Sequence, residues 1–116
     1  MSKKQTVETY MHGFNTGDHE LILSLLADDV IWEMPGFFNL KGKKEFNGEI
    51  ENDAFTGKPV ITTIRMIEEG DIVVAEGAVK GQMKNGNLLD AVFCDVFHFE
   101  NGKIKKLTSY LMNLSA

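Results

Sequence analysis

The sequence predicts a single α+β domain, with helices first and a mainly antiparallel sheet after them. Three observations carry this. Apolar residues recur at helical spacing in the opening segments, and alternating β-branched and aromatic residues fill the chain from Val60 onward. Glu69-Gly70-Asp71, Asn85-Gly86 and Asn101-Gly102 then cut that second stretch into long strands at residues suited to tight turns.

Taken in order, Val7, Tyr10, Met11 and Phe14 fall on one face of a helix over about residues 4–15, which Asn15-Thr16-Gly17 stops. Asp18 can cap a second short helix, whose stripe of Leu21, Ile22, Leu25 and Leu26 runs up to Asp28-Asp29. The period changes at Val30-Ile31-Trp32-Glu33-Met34, a strand closed by Pro35-Gly36, with Trp32 and Met34 on one face and Glu33 on the other. Residues 37–42 fit neither period. Residues 43–52, with Phe46 and Ile50 four apart, suggest a surface helix with one apolar edge. Strands are expected at about 60–69, 72–83, 87–100 and 103–114.

With 116 residues, 43% of them hydrophobic, the chain suits one domain over 1–116. Seventeen acidic and twelve basic residues give a net charge of -5, which opposes binding to a phosphate backbone, so no nucleic-acid partner is expected. The single cysteine, Cys94, allows no internal disulfide, and residues 1–6 lack the apolar stretch of a secretory signal. The expectation is a soluble cytoplasmic protein. Leu21 to Ala27 is far shorter than the roughly 20 residues needed to cross a bilayer, so no membrane partner is expected. His12, His19 and His98 show no metal-ligand spacing, and no phosphate-binding glycine loop or GxSxG elbow is present. No metal or cofactor is expected.

The strand over 87–100 is apolar on both faces. Leu89, Ala91, Phe93, Asp95, Phe97 and Phe99 point one way; Asp90, Val92, Cys94, Val96 and His98 point the other. The aromatic side should meet the helices. Val92, Cys94 and Val96, continued by Val73, Ala75 and Val79 of the preceding strand, need another cover, and a second copy of the chain supplies one economically. A homodimer through this outer face is the expected assembly.

Asp95, between Phe93 and Phe97, is poorly solvated; burial disfavours its charge and raises its pKa, so that it can donate a hydrogen bond as a neutral acid. A structural pairing with a buried hydroxyl or with Arg65 fits the same position. Tyr10 sits on the apolar stripe of the first helix with a hydroxyl that needs a partner, as a catalytic donor or as a satisfied core residue. Tyr110 and Met112 are either cavity wall or plain core. Two readings follow. One is a pocket in which Tyr10 and Asp95 donate to one oxygen of a small apolar carbonyl or phenolic ligand, walled by Phe14, Trp32, Met34, Phe93, Phe97, Tyr110 and Met112. The other is a non-catalytic module for dimerisation or protein binding.

Tyr10-Met11-His12-Gly13-Phe14-Asn15-Thr16-Gly17-Asp18, followed by Leu25-Leu26-Ala27-Asp28-Asp29-Val30-Ile31-Trp32-Glu33-Met34-Pro35-Gly36, resembles the opening of the nuclear transport factor two-like superfamily, which includes SnoaL-like and ketosteroid isomerase-like proteins. The resemblance implies a cone-shaped α+β barrel, a curved sheet wrapped around a helix with an internal pocket. It also implies that Tyr10 matches the oxyanion-hole tyrosine of ketosteroid isomerase and Asp95 its protonated aspartic acid. The position of that enzyme's proton-moving aspartate falls on Met34, whose thioether is no base at neutral pH. Glu33, adjacent, would need a bulge to reach the pocket. The related epoxide hydrolases use an Asp-Arg-Asp network, for which Arg65 lacks an acid two residues away on its face. Enol or enolate chemistry, isomerisation or cyclisation, is the activity the resemblance implies.

Overall fold

The computed structural model describes residues 1–50 and 55–114, apart from the side chains of 55, 56 and 58. Ser2 starts α1 (Lys3–Thr16) through a capping box: its hydroxyl accepts from Gln5 N at 3.1 Å while Gln5 Oε1 accepts from Ser2 N at 2.8 Å. The helix ends at Gly17, and the Asp18 carboxylate accepts from Leu21 N at 3.1 Å to open α2 (His19–Ser24). This second helix is shorter than its apolar stripe suggests. Leu26 already belongs to β1 (Leu26–Met34), in register with Ile104, whose amide donates to the Leu25 carbonyl at 2.9 Å. Leu25 and Leu26 are buried as the stripe requires, but pairing to the sheet wins their backbone.

Pro35-Gly36 turns the chain, with Phe37 N donating to Met34 O at 2.9 Å, and the ambiguous segment becomes β2 (Phe38–Lys41), antiparallel to β1. Then α3 (Gly42–Ile50) buries Phe46 and Ile50; residues 51 and 52 of the expected helix lie outside the described residues. The rest is a meander of β3 (Phe55–Glu69), β4 (Ile72–Met83), β5 (Leu88–Glu100) and β6 (Lys103–Asn113). Asn101 and Gly102, with φ of 52° and 78°, form the primed hairpin turn that the sequence signals. The sheet order is β2-β1-β6-β5-β4-β3, antiparallel throughout except for β1 beside β6. Among the described residues three helices pack on this curved, unclosed sheet. No helix among the described residues is long and apolar enough to cross a membrane.

The strand register corrects one expectation about the outer face. Val73, Ala75 and Val79 stand opposite Phe97, Asp95 and Ala91, so they point inward, and Val73 and Ala75 are fully buried. The outer face instead joins Val74 and Ala78 to Val92, Cys94 and Val96. In antiparallel pairing directly opposed residues share a face, and the parity of β4 that carries Glu76, Lys80 and Gln82 is the outer one, a signal that the alternation of this strand already holds.

One side chain ties α1 to the sheet edge, and one glycine lets the sheet's inner face pack closely. The Asn15 side chain brackets one residue of the edge strand β3, donating Nδ2–H to Ile61 O at 2.9 Å and accepting from Ile61 N at 2.7 Å. It mimics a neighbouring strand and satisfies part of an open edge. On β4, Gly77 stands opposite Phe93, and a Cβ there would lie 2.5 Å from Phe93 Cζ and against the Thr62 carbonyl oxygen. The missing side chain lets the Phe93 ring lie across the backbone of β4. Gly77→Ala should therefore displace Phe93 and destabilise the fold by about 1–3 kcal/mol in urea denaturation; unchanged stability would contradict this packing.

Candidate functional site

Residues from α1, β1, β3, β4, β5 and β6 enclose a cavity of about 110 Å³ between the helix and the inner face of the sheet. Alternation aims them: Trp32 and Met34 leave β1 on one face, Phe93 and Asp95 leave β5, and Ser109 and Leu111 leave β6 directly opposite them. Tyr10, Met11 and Phe14 close the cavity from α1, with Ile61 and Val79 completing the wall. Tyr10, Trp32, Asp95 and Ser109 are buried, whereas Met34, Ile61 and Leu111 are only partly covered. The polar groups thus lie at the floor and the apolar ones at the rim.

Aromatic packing fixes that floor. Tyr10 meets Phe97 edge to face at a ring-centroid distance of 5.2 Å and packs against Phe14 at 5.0 Å. Trp32 stacks on Phe46 at 4.5 Å and stands edge-on to Phe14 at 6.0 Å. These geometries hold both polar-tipped rings in one orientation. The Trp32 indole donates to Ser109 Oγ at 3.0 Å.

Asp95 is 8% exposed, and burial pushes its pKa up to about 7, although Ser109 acts on the carboxyl in the opposite sense. Near neutral pH a substantial fraction is therefore the neutral acid. Tyr10, 2% exposed, is raised well above its ordinary value, first by burial and then by the charge of Asp95. It stays a phenol and can donate. Among the described residues the Tyr10 hydroxyl makes no hydrogen bond, while no fully enclosed side-chain polar atom lacks a partner; the hydroxyl looks onto the cavity.

The structure brings Tyr10, Phe14, Trp32, Met34, Phe93 and Asp95 together around the cavity. Phe97 is fully buried behind Tyr10 and supports the floor without lining it. Tyr110 and Met112 do not join the site. They pair with Cys94 and Val92 on the outer face, 51% and 66% exposed, because β6 carries the same alternation as β5 and its inward positions are the odd-numbered ones. Ser109 and Leu111, the inward residues, were missed by the sequence reading; the register opposite Asp95 and Phe93 is the signal that finds them. Glu33 pairs in register with Thr108 and is absent from the cavity wall, with no bulge beside it. Arg65 pairs with Glu76, away from the cavity. Among the described residues no three His, Cys, Asp or Glu side chains gather as a metal site would require.

Comparison with curated proteins finds no sequence match. Among solved structures, a candidate polyketide cyclase from Pseudomonas putida KT2440 is 28% identical, with 98% of this chain and 93% of that one covered and a TM-score of 0.86. Another candidate polyketide cyclase, from Xanthomonas campestris pv. campestris, is 25% identical over 96% of this chain and 90% of that one, with a TM-score of 0.85. An LEH-like epoxide hydrolase from M. tuberculosis shares the fold at 18% identity, 93% and 80% coverage and a TM-score of 0.81. The SnoaL-like domain pattern matches residues 7–107, which include most of α1, the strands from β1 to β5, the start of β6 and every residue of the cavity floor except Ser109. The chain belongs to the SnoaL-like domain family.

Proposed function

We propose that the cavity binds a small apolar compound by one carbonyl or phenolic oxygen, which accepts hydrogen bonds from Tyr10 and Asp95. The observation that carries this reading is the pairing of an unbonded phenol with a carboxyl titrating near neutrality on the floor of an otherwise apolar cavity. Among the described residues no lysine, arginine or histidine lines it, so none of them neutralises a carboxylate ligand. A cavity of comparable volume, ~150 Å³, holds benzene. At about 110 Å³ this cavity takes a single ring at most, with any further part of the compound passing the rim at Met34, Ile61 and Leu111.

Two donors in a dry site stabilise negative charge developing on oxygen, so the reaction class is isomerisation or ring closure through an enol or enolate. The likeness to two candidate polyketide cyclases supports that class. Met34 stands where the resemblance to ketosteroid isomerase places a base, and its thioether removes no proton. The signature is thus strong binding of enol-like compounds with slow turnover. The second reading is a non-catalytic homodimeric module, favoured by the missing base and by the apolar outer face, where Val60, Ile67, Tyr110 and Met112 are exposed beside Val92, Cys94 and Val96. On either reading a second copy covers that face.

Three outcomes test this. Cyclohex-2-enone should bind the wild type by calorimetry, with benzoate failing to do so, and Tyr10→Phe should weaken it about tenfold, the worth of one hydrogen bond; benzoate binding as well as the enone would contradict the site. The folded state holds a proton on Asp95 that the unfolded chain releases between pH ~4 and about 7. Stability contributed by that proton is complete below this window and falls as pH rises through it, by at most about 4 kcal/mol. Urea denaturation from pH 5 to 8 should show this slope in the wild type and not in Asp95→Asn; parallel curves would refute it. Light scattering coupled to size exclusion should give a dimer at micromolar concentration, and a monomer would remove the second copy.

A further inference from the structure

The hydrogen bond from Trp32 to Ser109 has a fixed direction. An indole N–H only donates, so at 3.0 Å the Ser109 oxygen is the acceptor, and the one hydroxyl proton remains to be given elsewhere. Ser109 is 3% exposed and stands directly across the ladder from Asp95. As a directly opposed pair on the inner face, Ser109 and Asp95 place the free hydroxyl proton next to the carboxyl, and the serine's effect there favours the charged form, the sense of a donor. On the other flank of β5, Ala75 faces Asp95 with no polar group. From α1, Tyr10 is the titratable group on the cavity side. Cys94 adjoins Asp95 along β5 and opens on the opposite face near Glu76, and among the described residues no lysine, arginine or histidine lines the cavity.

We infer that Trp32, Ser109 and Asp95 form a one-way hydrogen-bond relay, with Ser109 the positioning residue that occupies one carboxyl oxygen and leaves the other to meet the ligand. This deepens the proposed carbonyl site and rests on that reading for the ligand. The relay decides what the site recognises. While Asp95 carries its proton, the chain of bonds ends in a donor, and the pocket selects neutral acceptors such as ketones. Once Asp95 is ionised, Ser109 still donates to it, and the free carboxylate oxygen becomes an acceptor beside the donor Tyr10. The pocket then disfavours ketones and suits a hydroxyl-bearing enol or phenol. Ser109 thereby sets ligand selectivity without being a proton carrier.

The test is carboxyl-carbon NMR titration of Asp95 in the unliganded protein, which a purely structural role for Ser109 would not move. Ser109→Ala removes the donor to the carboxylate and should raise the Asp95 midpoint by about one pH unit. Ser109→Thr keeps the hydroxyl and should restore the wild-type midpoint. Trp32→Phe releases the serine and should raise the midpoint in the wild-type background while adding nothing to Ser109→Ala. If Ser109→Ala does not fold, Trp32→Phe and Ser109→Thr give the comparison alone. An equal midpoint in the wild type and Ser109→Ala, or in the wild type and Trp32→Phe, overturns the relay. Cyclohex-2-enone affinity should fall about tenfold as the wild type passes from pH 5.5 to 8, as expected if an acceptor ligand meets the protonated form. Failure of the enone to bind the wild type at any pH overturns the carbonyl ligand, whereas the unliganded titration judges the relay by itself.

Discussion

A carboxyl group buried on the inner face of the sheet sets the terms for the rest of this site. Asp95 lies on the inner face of β5, with Phe93 and Phe97 two residues away on either side and Ala75 across the ladder, so ionisation must compete with the loss of hydration. Burial wins over the help from Ser109, and the group titrates near neutrality. Tyr10 answers the same environment in the same direction: it stays a phenol, and below about pH 7 Asp95 is a neutral acid, so that both are donors there. A ligand oxygen between them would accept from both.

Keeping that arrangement dry falls to the helix and the aromatic residues. The Asn15 clamp on Ile61 ties the end of α1 to the edge strand, which holds Tyr10, Met11 and Phe14 over the sheet. Gly77 lets Phe93 lie flat enough to be a wall instead of a plug. Trp32, stacked on Phe46, is immobilised as the source of the relay that ends at Asp95. Residues that would be ordinary core elsewhere thus act on the floor of one cavity, and the rim is left to flexible apolar side chains such as Met34.

Much of the fold was legible because its signals were periodic. The stripe of Val7, Tyr10, Met11 and Phe14 defined α1, and the turn residues between 69 and 102 separated β3 to β6 within a few residues. The inward face of β5, including Asp95, followed from simple alternation because only one parity carried aromatics. Failures came where tertiary pairing overrode a local pattern. Leu25 and Leu26 read as helix until Ile104 is seen beside them, and β2 is too short to show a period. Tyr110 and Met112 look like cavity residues by size, yet the register with Cys94 and Val92 turns them outward and gives their place to Ser109 and Leu111. Register is a property of two strands, and a single strand's sequence does not contain it.

The central claim is that one ligand oxygen meets both Tyr10 and Asp95 at the cavity floor. A crystal structure of the complex with cyclohex-2-enone, grown below pH 6.5, tests it directly. The account predicts the carbonyl oxygen within about 2.5–3.0 Å of both the Tyr10 hydroxyl and an Asp95 carboxyl oxygen, with the ring among Phe14, Met34 and Phe93. An enone bound with its oxygen toward the rim, or a crystal soaked to saturation whose cavity holds only water, would contradict it.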